Sequence, residues 1–186
     1  MDALTLKDSE KFLRQISKNV DFSDPELKQN IEDLKQFCRE HSCFAMAAVQ
    51  IGIPKRIVFV KSTSTESAQG EVVSQMLLIN PKITQKCGRT EYWEACVSGL
   101  DNCALVERPY CITVEYQDEN GQSNVQTFEG FAATVLSHEL DHLEGIFHMD
   151  RAKKLLYIPA EERKKLRETQ PYIIHSKTCE FEYEKI

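Results

Sequence analysis

Two histidines four residues apart, with a glutamate beside the first, stand out in His138-Glu139-Leu140-Asp141-His142. On an α-helix, residues four apart lie one turn apart on the same face, so both imidazoles can address one metal ion. A carboxylate next to them is close enough to act on water at that metal, the arrangement of hydrolytic metal centres. Either histidine alone reads as a satisfied core residue. The complete H-E-x-x-H pattern favours a metal.

A catalytic zinc-type site takes about three protein ligands and leaves a position open. Downstream of His142, Gly145 and His148 fall where the extended pattern H-E-x-x-H-x-x-G-x-x-H has its glycine and third ligand. A metallopeptidase that uses His148 is therefore one reading of the helix motif.

The pattern works only if the stretch is helical. Phe131, Val135, Leu136, Leu140 and Leu143 supply apolar faces, Gly130 precedes them, and Gly145 offers a C-terminal stop. Elsewhere, Phe12, Leu13, Ile16 and Val20 predict a helix from Asp8 to Val20, and Ser23-Asp24-Pro25-Glu26 predicts a helix start. Leu27, Ile31, Leu34 and Phe37 form its apolar stripe.

Extended segments are predicted for Arg56 to Val60, Met76 to Thr84 and Thr90 to Glu94. The Asn120-Gly121 pair marks a hairpin between Ile112 to Gln117 and Val125 to Phe128. Lys61 to Gln75 reads as a polar, exposed excursion. A short charged helix after Pro159 and an edge strand after Tyr172 close the chain. The class is α+β, with strands in the middle and the metal helix packed among them.

The chain has 186 residues, enough for one domain with a real core, and neither a repeat nor a linker divides it. A formal net charge of −6 argues against a nucleic-acid footprint. No apolar run approaches the roughly 18 residues of a membrane span, and the N-terminus has no signal-peptide core. Seven cysteines, an odd number without a C-x-x-C pair, suggest reduced thiols in a reducing compartment, one of them available as a ligand.

Three stretches in order resemble the peptide deformylase family. They are Cys43-Phe-Ala-Met-Ala-Ala-Val-Gln50, Glu94-Ala-Cys-Val-Ser98 and Ser137-His-Glu-Leu-Asp-His142. The family motifs are G-x-G-x-A-A-x-Q, E-G-C-L-S and Q-H-E-x-D-H. Leu4 to Arg14, Asn80-Pro81, Ala104 to Arg108 and Gly130 to Gly145 extend the resemblance over most of residues 4 to 155. Residues 1–186 would then be one deformylase-like domain, with a tail from about residue 156.

The resemblance implies one divalent metal on Cys96, His138 and His142, with water in the fourth place. Fe²⁺ is the expected ion, and Zn²⁺, Ni²⁺ or Co²⁺ can take the same ligands. Glu139 would move a proton from that water to the leaving amine. The Gln50 amide and the Val97 backbone N–H would hold the developing oxyanion. Glu94 would accept from a ligand histidine, and Arg108 would pair with Asp141. The substrate would be the N-formylmethionyl end of nascent chains, near the ribosome, and the product formate. The setting would be a bacterial cytoplasm, or a mitochondrion or plastid after loss of a presequence.

The departures cluster near the site. Cys43 and Ala45 replace both glycines of the first motif, Ala95 and Val97 replace Gly and Leu of the second, and Gly99-Leu100 replaces Ile-Pro. Cys103 stands where a substrate-binding arginine is found, and Ser137 where glutamine precedes the first histidine. None removes a ligand, the base or Gln50. A retargeted homologue that binds peptides without hydrolysis is the second reading, and the metallopeptidase the third.

Overall fold

The computed structural model describes residues 2–64 and 72–178. Two helices come first, α1 (Leu6–Leu13) and α2 (Leu27–Glu40), then strands β1 (Ala45–Ala47), β2 (Ile57–Ser64), β3 (Val72–Cys87) and β4 (Arg89–Ala95). β5 (Asn102–Arg108), β6 (Cys111–Gln117) and β7 (Ser123–Glu129) lead into α3 (Phe131–Leu143), which carries the histidine pair. β8 (Ala152–Tyr157), α4 (Ala160–Thr169) and β9 (Ile173–Ser176) follow. One sheet has the order β1-β2-β3-β6-β7 and the other β8-β5-β4-β9, with neighbours antiparallel throughout. The chain is α+β.

The continuous apolar run of β2 has a direct reason, since both faces of that strand are covered. Ile57 and Phe59 join Leu27, Ile31, Leu34 and Phe37 of α2 in one core cluster. Val58 and Val60 join Leu136, Leu140 and Leu143 of α3 in another. The period-2 alternation of a strand thus sends successive side chains to two different helices. α3 is buried without interruption from Leu136 to Leu143.

The stop of α3 is a Schellman motif. The Gly145 N–H donates to the His142 carbonyl at 3.2 Å and the Ile146 N–H to the Asp141 carbonyl at 2.9 Å, with Gly145 at φ 70°. A Cβ at Gly145 would lie 2.2 Å from the Arg14 carbonyl oxygen, so only glycine fits where the first helix meets the third.

Several expectations need correction. The first helix ends at Leu13, not Val20, and Ile16 is 68% exposed. Beyond it the backbone turns outward to bond elsewhere, Ser17 N–H to the Leu143 carbonyl and Lys18 N–H to that of Pro54. The second helix starts at Leu27, because Asp24 Oδ1 accepts from the Glu26 N–H and keeps Ser23 to Glu26 in a turn. The excursion predicted for Lys61 to Gln75 is strand at both ends, with Lys61 opposite Gln75 and Ser64 opposite Val72; residues 65–71 lie outside the described set. Cys87 is disulfide-bonded, so the seven cysteines are not all reduced thiols. Cys38, Cys43, Cys96, Cys103 and Cys111 are free, and Cys179 lies outside the described residues.

Candidate metal centre

Three elements bring the site together. β1 runs into a 3-10 turn, Ala48–Ile51, that carries Gln50; β4 ends at Ala95 just before Cys96; α3 presents His138, Glu139 and His142. The N-terminal segment fixes the first of these, its Leu4 N–H donating to the Gln50 carbonyl at 2.7 Å.

Cys96, His138 and His142 are buried and offer ligand atoms that all lie within 4.8 Å of one another. Cys96 Sγ is 3.3 Å from His142 Nε2, which is 3.2 Å from His138 Nε2. A tetrahedral site with Zn–N near 2.05 Å and Zn–S near 2.3 Å has ligand–ligand edges of about 3.4–3.6 Å, so these separations fall within a few tenths of an ångström. His138 Nδ1 meets Glu94 Oε2 at 2.8 Å, which places the proton on Nδ1 and aims the Nε2 lone pair at the cluster. A thiol and two imidazole lone pairs converging in a buried pocket suit a borderline divalent cation.

Glu94 is itself held. Arg108 donates Nε to Glu94 Oε1 at 2.8 Å and Nη2 to Oε2 at 2.9 Å, and reaches Asp141 with Nη1. Burial alone would raise the Glu94 carboxyl, but hydrogen bonds from Arg108 and His138 outweigh it and hold its pKa at about 2. Arg151 adds a bidentate pair on Asp141, at 2.6 and 2.7 Å. A line of fixed charges thus runs from Arg151 to His138.

Glu139 and Gln50 share a single donor. The Ala47 N–H lies 2.9 Å from Glu139 Oε2 and 3.0 Å from Gln50 Oε1. With its oxygen engaged, Gln50 points Nε2 at Cys96 Sγ and Ser98 Oγ, both at 3.2 Å. Burial pushes the Glu139 carboxyl above the usual range, which suits a group that must accept a proton near neutrality. Val97 opens a 3-10 turn, Val97–Gly99, so its N–H has no acceptor within that turn.

Gln50, Glu94, Cys96, Val97, His138 and Glu139 border a cavity of about 650 Å³, lined also by Cys43, Ala45, Ala95 and Phe131. Of the apolar residues of α3, Phe131 and Val135 line this cavity, while Leu136, Leu140 and Leu143 join the core. Ala45 and Ala95 are both in the cavity wall. Cys103 is not, being fully buried at 0% exposure, with the cations of Arg163 and Arg167 near it. The Ser137 hydroxyl is buried with no hydrogen-bond partner. His148 stays out of the ligand cluster; its Nε2 meets the Asn102 carbonyl at 3.1 Å and its Cε1 fills the space a Cβ on Gly99 would take.

A family model described as polypeptide deformylase matches residues 4–156. The chain belongs to the polypeptide deformylase family. Its relatives include the peptide deformylase of Rhizobium meliloti (strain 1021), 38% identical over 144 residues that cover 77% of this chain and 80% of that protein. The crystal structure of a Synechococcus elongatus peptide deformylase in complex with actinonin aligns with a TM-score of 0.70 and 31% identity. That alignment covers 91% of this chain and 87% of the other. A Met-Ala-Ser-bound class I type b deformylase from Acinetobacter baumannii aligns at TM-score 0.69 and 25% identity, over 81% and 97% of the two chains. Deformylases are metal-dependent, and the Cys96, His138 and His142 group is the potential metal site of this one.

Sequence reading missed Arg151 and Arg167. Arg151 lies ten residues from its partner Asp141, and Arg167 sits on the short charged helix expected after Pro159. No local spacing marks either one.

Proposed function

We propose that this chain hydrolyses the formamide of N-formylmethionyl peptides, releasing formate, with Glu139 as the proton carrier and Gln50 and Val97 as oxyanion donors. The observation that carries the proposal is the shared Ala47 N–H, which orients Glu139 and Gln50 toward the same buried cluster of Cys96, His138 and His142. Those three residues would hold one divalent ion, and Fe²⁺ is the proposed occupant, with Zn²⁺, Ni²⁺ or Co²⁺ as substitutes. When bound, that ion supplies Lewis-acid activation of water and of the formyl carbonyl.

The chain's own residues do the rest. Glu139 accepts a proton from the attacking water as the oxygen bonds to the formyl carbon. Negative charge then builds on the formyl oxygen, where the Gln50 amide and the Val97 N–H donate to it. The C–N bond breaks as Glu139 returns its proton to the leaving amine, and formate and the free peptide separate. Phe131, Val135 and Val97 give the cavity apolar walls.

A Met-Ala-Ser peptide bound to the Acinetobacter baumannii relative supports peptides as the ligand class. Nascent chains at the ribosome are the proposed source. The proposed catalytic unit is a single domain, residues 1–186, because both sheets and α4 contribute to the cavity. A peptidase centred on His148 is disfavoured by the place of that ring, committed to Asn102 and Gly99.

The test is formate release from formyl-Met-Ala-Ser by anaerobically prepared, Fe²⁺-loaded protein, beside E139Q with its metal content measured. The variant is expected to keep its metal and lose roughly 10²- to 10⁴-fold in kcat. Full turnover by metal-loaded E139Q would reject the assigned role, and no release by the wild type would reject the activity.

A further inference from the structure

α4 begins at Ala160, beyond residues 4–156 that the family model matches, yet it walls the site. Its Arg167 borders both the metal cavity and a second depression of about 730 Å³. The two share Ala95, Cys96, Val97 and Arg167, so they adjoin at the candidate ligand cysteine. A peptide with its formyl group at Cys96 has in this depression a direct way out.

The charges of the depression are uneven. Arg163 is committed to the Leu100 carbonyl at 2.9 Å, the Ile158 carbonyl at 3.3 Å and Asp101 at 3.6 Å. That leaves Lys164 and Arg167 against Glu168. Arg167 Nε donates to the Trp93 carbonyl at 2.9 Å, and its guanidinium lies 5.2 Å from the centre of the Tyr92 ring. A hydrogen bond and a ring hold the cation in place, and among the described residues it has no carboxylate partner. A guanidinium already ordered gives up little rotamer freedom when a carboxylate arrives. In a chain of formal net charge −6, this is an ordered cation beside the candidate metal cavity.

We propose that Arg167 is a specificity-determining residue that engages a carboxylate on the peptide downstream of the formylmethionine, so that acidic peptides are preferred substrates. This rests on the deformylase reading above. The carboxylate comes either from an Asp or Glu side chain or from the end of a short peptide.

The test compares formyl-Met-Ala-Glu-amide with formyl-Met-Ala-Gln-amide, and formyl-Met-Glu-Ala-amide with formyl-Met-Gln-Ala-amide, as ratios of kcat/KM. The expected Glu/Gln ratio is about 3 to 5 at low salt, the size of a partly exposed ion pair, expressed in KM and shrinking as salt screens it. It should fall to one in R167Q and persist in R167K. Each ratio is taken within one variant, so a general loss of folding or activity cancels. A ratio of one in the wild type for both peptide pairs, or an unchanged ratio in R167Q, overturns the proposal. A preference only for the free acid of formyl-Met-Ala-Gln over its amide, lost in R167Q, assigns the contact to the chain end. If no formylated peptide is hydrolysed, the deformylase reading fails. The Glu/Gln ratio of Kd for unformylated Met-Ala-Glu-amide and Met-Ala-Gln-amide still decides for or against Arg167.

Discussion

Gln50 is fixed at both ends of its amide, its oxygen on the Ala47 N–H and its nitrogen toward Cys96 and Ser98. A donor already ordered costs no reorganisation when charge develops on the substrate. Q50A is therefore expected to lower kcat by about 10²- to 10³-fold with little change in metal content, checked by steady-state kinetics beside metal analysis. Arg108 works differently, by neutralising two buried acids at once. Removing it in R108M leaves Glu94 and Asp141 buried with less counter-charge, Arg151 remaining on Asp141 alone. The expected loss is about 3–5 kcal/mol of unfolding free energy, read from urea titrations at neutral pH. A loss under 1 kcal/mol would mean that water reaches Glu94 and the pairing matters little.

Among the elements, α3 was the most legible in sequence, because a period of 3.6, a preceding glycine and Gly145 all agreed on its span. The partners Glu94, Arg108 and Asp141 were legible only through the family resemblance, since they come from β4, β5 and α3 and no spacing joins them. The end of the first helix was not legible. Ile16 and Val20 keep helical spacing, but Ser17 and Lys18 find better backbone partners in Leu143 and Pro54, so tertiary contact overrides the pattern. The two C-terminal turns of backbone at Gly145 and Gly52 give a matched pair for testing element geometry. Both have positive φ, 70° and 89°, but a Cβ at Gly52 meets nothing within 4 Å whereas one at Gly145 strikes the Arg14 carbonyl. G52A should cost about 1 kcal/mol of strain, and G145A clearly more, about 3 kcal/mol or above. Equal Tm shifts for the two would show that the junction between α1 and α3 yields easily.

For the molecule as a whole, the candidate ligands straddle its two sheets. His138 and His142 ride on α3, packed against the five-stranded sheet, while Cys96 follows β4 of the four-stranded one. A bound ion would tie the two together through Cys96 and His138, which stand 42 positions apart in the chain. Stripping the metal with a chelator should then lower Tm and not merely stop turnover. The drop corresponds to about 4 kcal/mol where free metal stood at a thousand times Kd, and it should be reversed by adding the ion back. An unchanged Tm would show that the apo pocket is already rigid. The shared Ala47 N–H bears on the same question of precision. Glu139 and Gln50, the proposed base and oxyanion donor, both take their position from one peptide plane at the end of β1, as two instruments zeroed on a single benchmark. If breathing of the sheet shifts that benchmark, both readings drift together and the offset between them survives. Alignment of the reacting groups therefore depends on one bond vector more than on the rigidity of the whole frame.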